Sequence, residues 1–484
     1  LADSGKKVMR YGVKEYVKMV VQQNQSVMVQ HLEWKISQES IRNAKAIFEP
    51  DFLCSYHYQK TKQEYTEEEK VYYNFLTPFF QDRDEDYNSY KASVKGLVPT
   101  GATVEIGYHL DDISNQFNAS TGDEYVTTLR ATVTQPLLKG RGTAATKANI
   151  HVAEADAQIE NQTYRMRLMQ TILESGKAYW DLKLAQKMRR LRSDSVHNAD
   201  RLLANTRERV KAGLIAETEV LEAETGLYRR RTLQSDSQQQ YIRALNRVMT
   251  LASLSSTGNQ VLEAVELLEM QELSLDPVGC LQSAFDARPE YLSAQKKVWR
   301  EKIRLAHARN QRFPQLDMFG SYGINGKGDT TGDSWSEAWD KDYESWAVGV
   351  ELEIPLGGGL DTRSEVVAAK HRCRQAEMDL RSTEIRITND IESTVRIIGE
   401  AVEQVRNSQR TVTLNQKMLD VELARLAAGR SNNWEVLERE RLLNQAKIAE
   451  FESLVRYKRA VLAYLMAQGK LLDTYEVTVE EIHQ

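Results

Sequence analysis

Two periodicities divide this chain. Trp346, Val348, Val350, Leu352 and Ile354 alternate with Ala347, Gly349, Glu351 and Glu353, the period of two expected of a strand with one apolar face. The same alternation runs through Ala102, Val104, Ile106, Tyr108 and Leu110, and again through Tyr125, Thr127, Leu129, Ala131 and Val133. Shorter segments of this kind are Phe52 to Tyr58, Tyr90 to Leu97 and Leu316 to Ile324, so six amphipathic strands are expected. On pattern alone, an ordinary half-buried sheet fits equally well. Elsewhere the period is helical. Ile387, Ile391, Val395, Ile398, Val402 and Val405 step by 4, 4, 3, 4 and 3, a sustained coiled-coil-like stripe.

Proline positions separate the two regimes. They fall at 50, 78, 99, 136, 277, 289, 314 and 355, which leaves 140 proline-free residues between Pro136 and Pro277 (277 − 136 − 1) and 129 after Pro355 (484 − 355). Both stretches are rich in Ala, Leu, Gln, Glu, Lys and Arg, the good helix formers. A helix from 356 to 428 would be roughly 110 Å long at ~1.5 Å per residue. Helices of that length make rods, bundles or tubes rather than a compact core.

Each helical stretch contains one glycine followed, after five intervening residues, by Glu-Val-Leu-Glu: Gly213 with Glu219-Val220-Leu221-Glu222, and Gly429 with Glu435-Val436-Leu437-Glu438, 216 residues apart (429 − 213). A glycine there stops a helix and the polar residues after it restart one, so both read as the turned tips of helical hairpins. Other echoes support a repeat. The segment from Asn43 to Pro50 matches His307 to Pro314 at an offset of 264, and Thr134-Gln135-Pro136-Leu137 matches Glu353-Ile354-Pro355-Leu356 at 219. The expected units are 1–264 (N-terminal helix, strands about 51–135, hairpin tip near 213) and 265–484 (helix about 280–313, strands about 315–355, hairpin tip near 429). The offsets differ by 45 (264 − 219), room in the first unit for an additional hairpin around Pro99-Thr100-Gly101 and a loop from Thr61 to Asn88.

Composition narrows the function classes. The 484 residues are 27% charged and 41% hydrophobic, with a mean hydropathy of -0.54. A net charge of -5 and a pI near 6.0 give no global case for nucleic-acid binding. No window holds 18 consecutive apolar residues, which excludes transmembrane helices but not membrane strands of about 9–11 residues. Cys54, Cys280 and Cys373 are scattered and odd in number, so no disulfide framework or metal pair is expected. Eight dispersed histidines show no ligand spacing. Gly323-Ile-Asn-Gly326-Lys327-Gly328 resembles a phosphate loop only loosely, and Asp329, Asp333, Asp340 and Asp342 read as a solvated outer loop before they read as a calcium site. The basic clusters Arg189–Arg192 and Arg229–Arg231 read as solvated helix faces. No enzyme, cofactor or metal is expected. Lys6, Lys7 and Arg10 interrupt any apolar signal core, and a chain beginning at Leu1 is expected to be processed or truncated, in keeping with export.

In this order, the motifs resemble the outer-membrane efflux protein family, the TolC-like ducts of Gram-negative bacteria. The resemblance rests on Gln135-Pro136-Leu137-Leu-Lys-Gly140 and Ile354-Pro355-Leu356-Gly357-Gly358-Gly359 at the two strand–helix junctions, on Arg288-Pro289-Glu290 and on the two glycine tips. It covers nearly the whole chain. It implies a mixed α/β membrane protein: a homotrimer whose strands close a transmembrane β-barrel, continuous with a long periplasmic α-helical coiled-coil barrel, with two tandem structural repeats per protomer. Such a protein is a passive exit duct of a tripartite efflux or type I secretion system, in the outer membrane and extending into the periplasm, opened by a periplasmic adaptor and an inner-membrane pump. The resemblance further implies a channel constriction at Glu435 and Glu438, whose crowding around the axis should raise some of their pKa values. It also implies adaptor contact at the tips, Gly213, Leu214, Gly429 and Arg430. The family has four strands per protomer, so the extra hairpin leaves 12 or 18 strands per trimer open. Trp434 stands where the family has an aliphatic residue, and Arg430 comes one place earlier than usual. Lacking a cysteine at Leu1, the chain is not expected to be lipidated there. Two other readings compete: a soluble coiled-coil scaffold with a small β domain, and an enzyme using the loop from Gly323 to Asp342.

Overall fold

The computed structural model describes residues 7–76, 82–115, 122–213, 215–254, 260–271, 273 and 276–478. The expectations for Leu1, for Leu214 and for positions 77–81 of the loop from Thr61 to Asn88 lie outside them. The first half contains β1 (Lys7–Tyr11), α1 (Val13–Gln23), α2 (Gln25–Lys45), β2 (Asp51–Glu64), α3 (Glu67–Leu76), β3 (Asp82–Leu97), β4 (Thr103–Asn115), β5 (Glu124–Pro136), α4 (Thr143–Thr146), α5 (Ala148–Lys211) and α6 (Thr218–Leu251). After β6 (Gln260–Ala264) come α7 (Pro277–Ala287), α8 (Pro289–Gln311), β7 (Gln315–Gly328), α9 (Thr331–Asp340), β8 (Glu344–Glu353), α10 (Leu360–Ala427), α11 (Asn433–Ala467) and α12 (Leu471–Thr474). Two compact units result, one from residues 36–157 and 296–377, the other from 1–35, 158–295 and 378–484. Each draws on both halves of the sequence.

The first unit holds a six-stranded sheet in the order β2-β3-β4-β5-β7-β8, every neighbouring pair antiparallel. Its register aligns the expected apolar positions into rows. Phe52, Val94, Ile106, Ala131, Tyr322 and Trp346 cross all six strands on one face. One residue along, Asp51, Lys95, Glu105, Thr132, Ser321 and Ala347 form a row on the other face. Side chains alternate between faces along a strand, so the sheet has one apolar and one polar side. The apolar side is open in the single chain: Phe52 is 71% exposed, Trp346 72% and Val348 71%. On the polar side, Phe319 lies over Gly349, where an added Cβ would meet the ring at 2.4 Å.

Two strands outrun the expectation. The span from Thr61 to Asn88 is not all loop: β2 continues to Glu64 and β3 begins at Asp82. Beyond Tyr58 both faces are polar, so no alternation marks the strand. Cross-strand pairs carry it instead, Tyr58 donating to Asp86 at 2.6 Å and Lys60 and Lys62 pairing with Asp86 and Asp82 at 3.1 and 3.6 Å. The glycine-rich segment from Gly323 to Gly328 is strand as well, not a phosphate loop.

The second unit is helical. Ile387, Ile391, Ile398 and Val405 of α10, four positions of the expected stripe, are buried with Leu454, Tyr457 and Tyr464 of α11 and Cys280 and Ala284 of α7. A separate core gathers Tyr16 and Val20 of α1, Leu168, Ile172 and Tyr179 of α5, Val248 of α6 and Leu462 of α11. Beside it, β1 and β6 pair in parallel. Tyr179 ties them down: its hydroxyl donates to the Tyr11 carbonyl at 2.9 Å and accepts from the Glu266 N–H at 3.1 Å. No described helix is long and apolar enough to cross a membrane.

Candidate functional site: the paired hairpin tips

Both glycines predicted as helix stops lie in hairpin turns. Gly429, at φ +70°, follows α10, and its N–H donates to the Leu426 carbonyl at 3.1 Å, while that of Arg430 reaches back to Arg425 at 2.9 Å. These are the two bonds of a Schellman motif, which a glycine in the left-handed region closes without steric cost. Asn432 then caps α11, its side chain accepting from the Glu435 N–H at 2.9 Å. Gly213 follows α5 at φ +73°, its N–H donating to Val210 at 2.9 Å. Gly429→Ala places a Cβ in the left-handed region and should cost the tip about 1 kcal/mol. Trypsin should then cut faster at Arg425 and Arg430, and an unchanged rate would contradict this role.

A clamp absent from the sequence expectations spans the second tip. Glu422 is buried, accepts from the Ser431 hydroxyl across the turn, and pairs with Arg425 at 3.3 Å. Arg430 and Trp434 are exposed beside it.

Glu435 and Glu438 are both half-buried on the first turns of α11. Glu438 is held by Arg441, whose Nε and Nη2 donate to its two oxygens at 2.8 and 2.5 Å. That pair, with smaller contributions from Arg229 and Arg439, keeps the Glu438 carboxyl below the ordinary glutamate range. Within one protomer, then, the local shift is downward, opposite to what crowding around an axis would add. Glu219 and Glu222 occupy the corresponding turns of α6.

The two hairpins are joined a few turns from their tips. Arg230 of α6, in a cluster expected to be solvated, reaches Glu440 of α11 at 3.1 Å, with its side chain 13% exposed and that of Glu440 16%. Asn198 of α5 donates to the same carboxylate at 3.1 Å. Arg230 also donates to Ser195 at 3.2 Å, and Asn444 to Ser195 at 3.4 Å. Val196, Ala199 and Leu203 of α5 pack on Ala223 and Leu227 of α6 alongside. Arg230 at one end and Glu440 at the other are 210 residues apart, so no local spacing in the sequence could pair them.

In the chain, Pro136 precedes α4 and α5, and Pro355 precedes α10. Pro136 ends β5, and the following Leu137 N–H donates to the Leu316 carbonyl of β7 at 2.7 Å. Pro355 follows β8, and its carbonyl accepts from Gly358, at φ +76°, at 3.0 Å. Among the described residues, no group of three or more His, Cys, Asp or Glu side chains is placed to hold a metal ion.

Known proteins repeat this architecture. The family described as outer membrane efflux protein matches residues 17–253 and 280–467, one segment in each half of the chain. The alkaline protease secretion protein AprF of Pseudomonas aeruginosa is 22% identical over 350 residues, 70% of this chain and 69% of that one. The outer membrane protein TolC of Vibrio cholerae is 23% identical over 332 residues, 67% of this chain and 73% of that one. Among solved structures, the CmeC outer membrane channel of Campylobacter jejuni superposes with a TM-score of 0.66 at 13% identity, covering 95% of this chain and 85% of CmeC. With both halves matched in sequence and the fold matched throughout, the chain belongs to the outer membrane efflux protein family.

Proposed function

We propose that this protein is the outer-membrane exit duct of a tripartite efflux or type I secretion system, a passive conduit reaching into the periplasm and opened by an adaptor and an inner-membrane pump. The observation that carries this reading is the sheet: six strands whose apolar face is exposed outside the part covered by α9 and, among the described residues, two unpaired edges, β2 and β8. A water-soluble scaffold would not leave so large an apolar face open. Lipid can cover that face, but it cannot satisfy the edges, so the sheet must close with other copies. In a homotrimer, β2 of one protomer meets β8 of the next. Three copies then give 18 strands (3 × 6), enough for an aqueous lumen. Lys95, Glu105, Arg130, Asp317, Glu351 and Glu353, on the polar face, would line it.

The two repeats, 1–264 and 265–484, each supply strands and one helical hairpin. The tips form the periplasmic mouth, with Gly213, Leu214, Gly429 and Arg430 at the adaptor contact and exposed Trp434 enlarging it. Threefold symmetry gathers Glu435 and Glu438 into a ring of six carboxylates, which favours cations. Pro136 and Pro355 mark where strands give way to helices. The resemblance to AprF, an alkaline protease secretion protein, favours polypeptide among the cargoes such a duct could carry. Fractionation tests the reading: the protein should sediment with outer membranes and come off only with detergent. A freely soluble monomer would sink it.

A further inference from the structure

We propose that α9 is an interfacial helix that lies on the outside of the barrel and sets Trp335 and Trp339 into the outer leaflet. The proposal rests on the barrel reading above, which turns the apolar face of the sheet towards lipid. The register places Tyr108, Leu129, Thr127, Ile324 and Gly326 on that face, in line with Tyr322 and Trp346. The helix sits directly on it. An added Cβ on Gly326 would lie 2.0 Å from the Ser334 carbonyl oxygen and 2.4 Å from the Ala338 nitrogen, and one on Gly328 would lie 2.6 Å from the Ser334 nitrogen. The glycines that suggested a phosphate loop therefore let a helix backbone touch a strand backbone.

Specific contacts fix the seat. Ser334 and Ala338, one helical turn apart, are buried against the sheet, and the hydroxyls of Ser334 and buried Thr127 are 2.9 Å apart. The Lys327 N–H donates to Glu337 at 2.7 Å. Thr330 caps the helix start by accepting from the Asp333 N–H, and Lys341 ends it at φ +58°. Trp335 meets Tyr108 edge to face at 5.4 Å and Trp339 at 5.8 Å, an aromatic cluster. Both indoles remain open, at 41% and 51%. The helix connects β7 to β8 at the sheet end away from Pro136 and Pro355, where the apolar rows give way to the charged extensions of β2 and β3. Exposed indoles at such a boundary match the aromatic belt of a membrane protein, with an apolar body in lipid and a polar N–H at the headgroups.

Brominated phosphatidylcholine tests this on the full chain reconstituted in vesicles, because bromine quenches only tryptophans that touch lipid. Three of the seven tryptophans, Trp335, Trp339 and Trp346, should be quenched, and most strongly by bromine placed near the headgroup. Trp335→Phe with Trp339→Phe should remove about two-thirds of the quenchable intensity, and either single change about one-third. If quenching persists undiminished in the double variant but is lost in Trp346→Phe, the barrel reading stands and α9 faces water or a neighbouring protomer, which overturns the proposal. If no tryptophan is quenched, Trp346 included, the barrel reading itself fails.

Discussion

Glu435→Ala combined with Glu438→Ala is expected to lower the cation-over-anion permeability ratio in planar bilayers by roughly tenfold, the equivalent of ~1.4 kcal/mol. The size of the effect comes from symmetry. In the proposed trimer, six carboxylates around one axis would act together on any ion at the mouth, where low-dielectric walls limit screening. The pH dependence carries a sign. Because the Arg441 pair lowers the Glu438 pKa, against the upward push of crowding in the ring, the share of the cation preference carried by Glu438 should fade at lower pH with the pair intact than without it. The contribution of the pair to stability, present above the ordinary glutamate range, is lost as the pH falls through the lowered value. Arg441→Gln should move the selectivity midpoint to higher pH. Unchanged selectivity and unchanged block by divalent cations in the double variant would remove Glu435 and Glu438 from the constriction.

Glu440→Ala should destabilise the joined hairpins by about 2 kcal/mol, below the ~3–5 of a fully buried broken pair because both side chains keep some solvent contact. It leaves the Arg230 guanidinium without its carboxylate and Asn198 without its acceptor. Arg230→Leu with Glu440→Leu removes both charges and should recover much of the loss, so a double-mutant cycle on the pair should give a coupling of about 0.5–3 kcal/mol. The network ties α5 and α6 to α11 near the hairpin tips, so if those tips form the mouth, Glu440→Ala should also raise the mean conductance of the resting channel. Equal melting and equal conductance in all variants would make the network a passive surface feature.

How much of this was legible depends on the range of the physics involved. The six strands were readable because each carries its own alternation, and Val348 or Ile106 points to the apolar side whatever its neighbours do. The hairpin turns were readable because Gly213 and Gly429 break long helical runs, a local event. The far halves of β2 and β3 were not, because Lys60, Lys62, Asp82 and Asp86 put charges on the face that Phe52 and Val94 make apolar, so the alternation is lost and only cross-strand pairing makes these segments strand. The seat of α9 was misread in the same way. Gly326 and Gly328 look like a loop until Ser334 and Ala338 are seen resting on them. Arg230 shows the limit at the site itself. Among Arg229–Arg231 nothing in the sequence singles out the middle residue, and its partner Glu440 lies on a helix of the other repeat.

The central claim, that three six-stranded sheets close into one barrel through their β2 and β8 edges, is tested most directly by single-particle electron cryomicroscopy of the detergent-extracted protein. The account predicts a threefold particle with 18 strands, β2 of each protomer hydrogen-bonded to β8 of the next and Trp346 on the outer surface. A barrel of 12 strands, with β2 and β3 lying off the wall, or a particle with no barrel at all, would contradict it.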